Sequence, residues 1–107
     1  MNRVVGITDQ ARNQLEAAFC WWKENRSEAQ AVKWYNQFVE AIGTITNSPE
    51  KYPLSLENNS FPYEIRELRF GVGRRKTHRA VFTIRPEMVL VIAVRHLAQQ
   101  PISLDDV

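Results

Sequence analysis

A lone cysteine, Cys20, cannot close an internal disulfide, and with only two histidines, His78 and His96, far away in sequence it is too little to assemble a metal site. A reducing compartment is the simplest setting for such a chain. No apolar run approaches the roughly 18 to 20 residues that span a bilayer. The opening Met-Asn-Arg-Val-Val-Gly-Ile-Thr is too poor in apolar residues for a secretory signal. Internal repeats and low-complexity tracts are missing as well. These absences lead us to expect a cytoplasmic protein with no membrane association, no metal and no cofactor.

What is present is ordinary in amount and uneven in placement. With 107 residues, 44% hydrophobic and 24% charged, the chain has material for one core and reads as a single domain over 1–107. The net charge of +2 hides a strong asymmetry. From Tyr63 to His96 there are eight basic residues (Arg66, Arg69, Arg74, Arg75, Lys76, Arg79, Arg85, Arg95) against three acids, a net of +5. A locally basic surface favours phosphate or an acidic protein partner.

Three strands are expected in that basic stretch, Tyr63–Phe70, Thr77–Arg85 and Met88–His96, because runs rich in Val, Ile, Phe and Thr are broken there by Gly71-Val-Gly-Arg-Arg-Lys76 and by Pro86-Glu87. Ahead of them, Arg3–Ile7 is a short β-prone run that ends at Thr8-Asp9, a helix N-cap followed by a first-turn carboxylate. Ala11, Leu15, Ala18, Phe19 and Trp22 then fall on one helical stripe. Trp21 sits at the stripe's edge, where it packs against the next helix, and Cys20 on its far side. Ser27-Glu-Ala-Gln30 has the spacing of a capping box. It opens a second helix with Ala31, Tyr35, Phe38, Ile42 and Ile45 in a stripe and Trp34 and Val39 beside it. A link as short as Asn25-Arg26 makes the two helices an antiparallel hairpin. Asn47-Ser48-Pro49 ends the second helix. Glu50–Pro62 is a long loop for so small a domain, and residues 97–107 read as a tail whose acids either fray freely or fold back on the basic sheet, fraying being the default for a terminus.

If Pro86-Glu87 is a two-residue turn, cross-strand pairing fixes the faces of the last two strands. One face, carrying His78, Ala80, Phe82, Ile84, Val89, Val91 and Ala93, suits burial under the helices. The other carries Arg79, Val81, Thr83, Arg85, Leu90, Ile92, Val94 and His96, apolar in the middle and basic around it. An apolar patch of that kind left in water marks a partner site. In the first strand Tyr63 and Ile65 point one way and Leu68 and Phe70 the other, which a bulge near Glu67 would reconcile.

The order of strand, helix hairpin, Pro-bearing loop and antiparallel meander has particular residues attached to it: Ala11 to Leu15, Ser48-Pro49, Tyr63-Glu-Ile-Arg66-Glu-Leu68, His78-Arg79-Ala-Val-Phe82-Thr-Ile84 and Val91-Ile-Ala-Val94-Arg-His96. Over essentially its whole length the chain resembles the RelE/ParE superfamily of bacterial toxins. The resemblance implies an α+β fold with a short N-terminal strand and an antiparallel helix hairpin packed on one face of an antiparallel sheet. It also implies a type II toxin neutralised by a cognate antitoxin whose C-terminal segment covers the sheet and helices.

Members of that superfamily divide by target. RelE-like members cleave messenger RNA on the ribosome with basic side chains of the sheet, whereas ParE-like members bind and poison DNA gyrase. By resemblance Arg79 and Arg66 match two basic positions of the ribonucleases. A third basic position falls on Glu64, the arginine that follows the last strand falls near Leu97, and a late tyrosine falls near Ser103. A carboxylate repels phosphate, and an oxyanion needs donors. The Arg95-His96 ending also looks ParE-like.

The first reading is therefore a plasmid-stabilisation type toxin, a gyrase inhibitor with no chemistry of its own, which contacts antitoxin or target through Arg79, Val81, Arg85, Leu90, Ile92, His96, Arg74, Arg75 and Lys76. The alternative is a ribosome-dependent endoribonuclease in which Arg66 and Arg79 grip phosphate and His96 serves as general acid or base. A third is an inactive member or a basic binding module with another target. Each residue also has a purely structural role open to it: Arg66 and Arg79 can pair with Glu64 or Glu67 across the sheet, and Trp21, Trp22 and Trp34 can form the seam of the helix hairpin.

Overall fold

Thr8 and Ser27 start the two helices through the same device. In the computed structural model, which describes residues 4–107, the Thr8 hydroxyl accepts from the Ala11 amide and the Ser27 hydroxyl from the Gln30 amide, each at 3.1 Å. Strand β1 (Val4–Ile7) therefore runs straight into α1 (Asp9–Asn25), and α2 (Glu28–Gly43) follows after Arg26-Ser27. Arg3, the expected first residue of β1, lies outside the described residues. The helical stripes bury Ala11 and Leu15 from α1 and Ala31, Trp34, Phe38 and Ile42 from α2. Val39 remains 42% exposed. The chain then passes through short 3-10 turns at Thr44–Asn47, Pro49–Lys51 and Asn58–Ser60.

The meander follows as β2 (Arg66–Phe70), β3 (His78–Ile84) and β4 (Met88–His96). β4 has the expected bounds, and β2 is three residues shorter because 63–65 join the loop packing below. The four strands form one sheet in the order β1-β4-β3-β2. β1 pairs with β4 in parallel, Val4 opposite Met88 through Ile7 opposite Val91, so the sheet is mixed, not antiparallel throughout. A helix hairpin lies between β1 and the meander and returns the chain on the same side of the sheet, which permits that parallel pairing.

The turn at Pro86-Glu87 is the two-residue kind, with Arg85 N–H donating to the Met88 carbonyl at 2.8 Å. Thr83 faces Leu90 as the pattern requires. Beyond that the register slips. Val81 pairs with Ala93 and Phe82 with Val91, so Ile92 is an extra residue bulged out of β4. From Ala93 onward every side chain changes sides relative to the unbulged strand. Val94 joins the helix-side core with Ala80, Phe82, Val89 and Val91, and Ala93 goes to the opposite face. No bulge is needed in β2, where Arg66 to Phe70 pair regularly with Phe82 to His78. The alternation there only looks broken, because Glu67 is a buried residue of its face.

The face turned away from the helices is not open. A second core of Phe61, Ile65, Val81, Ile92, Ala93 and Ile102 lies on it, supplied by the loop before β2 and by the chain after β4. Of the two courses open to the tail, this structure has the second, folding back: Ile102 is 3% exposed, and a 3-10 turn at Leu104–Asp106 is capped by Ser103. Helices, sheet, and loop with tail form three layers. The sheet's two sides are both core.

Candidate functional site

The basic residues of the sheet sort into two groups, those bound by the fold and those left at its end. Arg79 belongs to the first. Its guanidinium is buried and donates to Glu57 through both terminal nitrogens, to Glu67 at 2.9 Å and to the Ser55 hydroxyl at 3.2 Å. Glu57 also accepts from the Ser55 hydroxyl at 2.8 Å and from the Ile102 amide at 2.9 Å. Burial is the largest single influence on Glu57 and favours its neutral form. The hydrogen bonds of Arg79, Ile102 and Ser55, with the charge of Arg79, together outweigh it and hold the carboxyl at about 2. In return the hydrogen bonds that Arg79 donates to Glu57, with the charge of Glu57, and then its bond to Glu67, keep Arg79 more firmly protonated than usual despite its burial. A paired, satisfied network of this kind joins loop, β2, β3 and tail.

Arg66 is similarly engaged. It donates to the carbonyls of Glu50 at 3.0 Å and Tyr52 at 2.6 Å and pairs with Glu64 at 3.0 Å, which anchors the long loop along the sheet edge. Arg69 pairs with Glu67 at 2.7 Å. Arg95 donates to the Gln100 carbonyl at 3.0 Å and lies 3.9 Å from Asp106, which ties down the tail. Arg85, exposed, sits over the Tyr63 ring at 5.3 Å.

Of the residues expected to form an open partner face, Val81, Ile92 and Arg79 are buried, Leu90 is half-buried, and Arg85 and His96 are exposed. The expectation of an uncovered apolar face is corrected by Phe61, Ile65 and Ile102, which occupy it. Nor do Arg66, Arg79 and His96 converge. Arg66 pairs across the ladder with Phe82 and His96 with His78, on the helix side, whereas Arg79 shares its face with Val81. Arg66 and His96 stand four rows apart, roughly 13 Å along the strands. One phosphate cannot touch all three.

Arg74, Arg75 and Lys76 remain exposed at the β2–β3 hairpin tip. Two glycines shape that tip: a Cβ on Gly71 would fall 1.9 Å from the Arg75 carbonyl oxygen, and Gly73 has φ +85°. The Thr77 amide closes it onto the Phe70 carbonyl at 2.9 Å. Directly beside it, between α1 and the open end of the sheet, lies a cleft of about 570 Å³ lined by Gln14, Trp21, Trp22, Arg26, His78 and His96 among others. His78 forms its inner wall, in contact with Trp34 at 4.9 Å and His96 at 5.0 Å between ring centroids. Burial first, and the nearby His96 second, lower its pKa to about 4, so it is neutral at pH 7.

Trp21, Trp22, Arg26 and Gln14 escaped the sequence reading as cleft residues because they lie on α1 or at its C-cap, about 50 to 80 positions from the strand ends they face. The Gln14 side chain accepts from the Val94 amide at 2.8 Å, where β1 has ended and β4 needs a partner. A second groove, about 410 Å³, runs between β1 and the helix hairpin, lined by Val5, Ile7, Leu15, Tyr35, Val39 and Ile42 among others. β1 is an edge strand there. Among the described residues no cluster of three or more His, Cys, Asp or Glu side chains is placed to hold a metal ion, and no helix is long and apolar enough to cross a membrane.

Residues 5–101 match the family model described as ParE toxin of type II toxin-antitoxin system, parDE. No curated protein sequence matches the chain. Among solved structures, a chain of the chromosomal ParDE TA system from P. aeruginosa superposes with a TM-score of 0.70 at 15% identity, over 88% of this chain and 95% of that one. At that identity the likeness establishes a common fold.

Proposed function

The chain belongs to the ParE toxin family of type II toxin-antitoxin systems, and from that premise we propose that it inhibits DNA gyrase by binding and is neutralised by a cognate antitoxin. The observation that carries binding over cleavage is the dispersal of Arg66, Arg79 and His96. A ribonuclease of this superfamily would need them, or their equivalents, around one phosphate. Here Arg66 and Arg79 lie on opposite faces of the sheet, and each is already engaged by carboxylates or carbonyls.

The surfaces that remain divide naturally between two partners. The antitoxin docks along the edge of β1 and in the apolar groove beside it, where an extended segment gains backbone hydrogen bonds from the strand edge and seats side chains against Tyr35, Val39 and Ile42. The target meets the opposite end of the molecule, where Arg74, Arg75, Lys76 and His96 are exposed and cationic contacts speed encounter with an acidic surface.

A supercoiling and DNA-cleavage assay with purified gyrase tests the proposal. Double-strand breaks should appear when the chain is added and vanish when its antitoxin is added with it. Gyrase left untouched by a folded, growth-inhibiting preparation would overturn the gyrase target and turn attention to ribosome-bound messenger RNA.

A further inference from the structure

Five rings run in contact around the cleft between α1 and the sheet end. Trp21 meets Trp22 at 5.6 Å, Trp22 stacks on Trp34 at 6.2 Å, Trp34 meets His78 at 4.9 Å, and His78 meets His96 at 5.0 Å between centroids. The inner members serve the core, with Trp34 and His78 buried. The two ends do not: Trp21 is 51% exposed and His96 is exposed, and both line the cleft. A tryptophan on a helix needs no such exposure to hold a hairpin seam together, since Trp22 and Trp34 already do so.

The charge of the cleft has one sign. Among the described residues Arg26 lines it and no carboxylate does, and Arg74, Arg75 and Lys76 immediately precede its Thr77 wall. Its backbone donors are already in use. Val94 N–H goes to Gln14 and His96 N–H to Gln99, at 2.8 and 2.7 Å. Leu97 N–H goes to the Thr77 carbonyl at 2.8 Å and Ala98 N–H to His96 Nδ1 at 3.0 Å. An extended peptide would find no strand edge to pair with here. What the cleft offers a ligand is ring faces and cations. Exposed aromatic platforms in a carboxylate-free basic groove are the features by which proteins hold single-stranded nucleic acid, stacking unpaired bases and tracking the phosphates.

We propose that this cleft binds a nucleotide unit of a single strand, its base stacked on Trp21 and its phosphate held by Arg26 and the Arg74–Lys76 tip. The inference rests on the cleft alone, and a failure of the gyrase reading leaves it standing. Duplex nucleic acid cannot supply an unpaired base and should be taken up only weakly, through the tip.

The test titrates the full chain into labelled oligothymidine and oligouridine of about 12 nucleotides, within the usual site sizes, and into a duplex of equal length, following anisotropy and tryptophan fluorescence. Tighter binding of a single strand than of the duplex, with tryptophan quenching, is the expected result, and the tighter of the two single strands names the polymer. Trp21→Ala should weaken single-strand binding about 5- to 100-fold, the range for losing one stacked base, with Trp21→Phe recovering part of it. Arg26→Gln should weaken binding and lower the salt slope by about one. Equal binding of single strand and duplex, unchanged by Trp21→Ala, would overturn the proposal and leave only charge attraction to the tip. So would Trp21-dependent binding of an acidic peptide with no binding of either oligonucleotide.

Discussion

Glu57 and Arg79, 22 positions apart in sequence, meet as a buried two-pronged ion pair that joins the loop before β2 to the middle of the sheet. Glu67 completes the set from the neighbouring strand. A buried pair of this kind contributes little net stability compared with apolar packing, yet breaking it on one side is costly, because the partner's charge is left stranded. Arg79→Met should therefore lower unfolding stability by about 3 to 5 kcal/mol. Replacing all three charges together, Arg79→Met with Glu57→Leu and Glu67→Leu, should recover most of that loss. Urea unfolding curves of the two variants check both expectations, and a triple variant no more stable than the single one would mean that the network itself specifies the fold.

Acid should destabilise the protein in two windows. His78 is held at about 4 against an ordinary 6.5, so between those values the unfolded chain binds more protons than the folded one. Stability contributed by the neutral imidazole is full above about 6.5 and is lost as pH falls toward 4. Glu57, held at about 2 against 4.5, adds a second loss between about 4.5 and 2. Thermal melts across this range should show a decline that begins near pH 6.5. His78→Phe, which keeps a ring against Trp34 and Phe38, should flatten the first window and leave the second.

The tail is structural. Ile102 fills the second core beside Phe61 and Ile65, and its amide satisfies Glu57. Ile102→Ala should cost about 2 to 5 kcal/mol, the usual range for emptying such a site. Removal of residues 98–107 should cost more and expose Val81 and Ile92, which dye binding would register. A truncated chain with unchanged stability would mean that the tail frays in solution.

Much of this architecture was legible because the relevant signals are local. Thr8 and Ser27 cap helices through residues three positions away, and Pro86-Glu87 fixes a turn by its own chemistry. The bulge at Ile92 was not legible. Val89 through Val94 are apolar on both sides of the strand, so side-chain polarity carries no parity signal across which a slip could be seen. Glu67 misled for the opposite reason: a buried carboxylate looks like a solvent-facing one until its partner, 12 residues on, is known. The cover over the second face was hidden because Phe61, Ile65 and Ile102 lie in segments with no period. The candidate site was half legible. The cationic tip is a sequence feature, whereas the ring chain joins α1, α2 and two strand ends that only the fold brings together.

The hairpin tip should be sensitive to its glycines in a graded way. Gly73→Ala asks an L residue to hold φ +85°, at a cost of about 1 kcal/mol. Gly71→Ala drives a methyl into the Arg75 carbonyl, which belongs to the backbone and cannot swing aside, so the tip must change shape. Gly71→Ala should be the more destabilising in denaturant titrations and, on the proposed function, should lower gyrase inhibition more than its stability loss explains.

Separation of the two partner surfaces gives the sharpest check on the proposed function. Val39 is 42% exposed on α2 and lines the groove beside β1, so Val39→Glu should fold normally, within about 0.5 kcal/mol. A carboxylate there would be desolvated under a docked apolar segment, and antitoxin affinity should fall at least about tenfold, equivalent to about 1.4 kcal/mol. Gyrase inhibition by this variant should be unchanged and should resist rescue by antitoxin. Replacing Arg74, Arg75 and Lys76 with serine removes three exposed cations at the other end of the molecule, and should weaken gyrase inhibition while antitoxin binding persists. Calorimetry with the antitoxin and a cleavage assay with gyrase read the two losses independently. Both variants losing the same partner would mean that antitoxin and target share one surface, and neutralisation would then be simple competition.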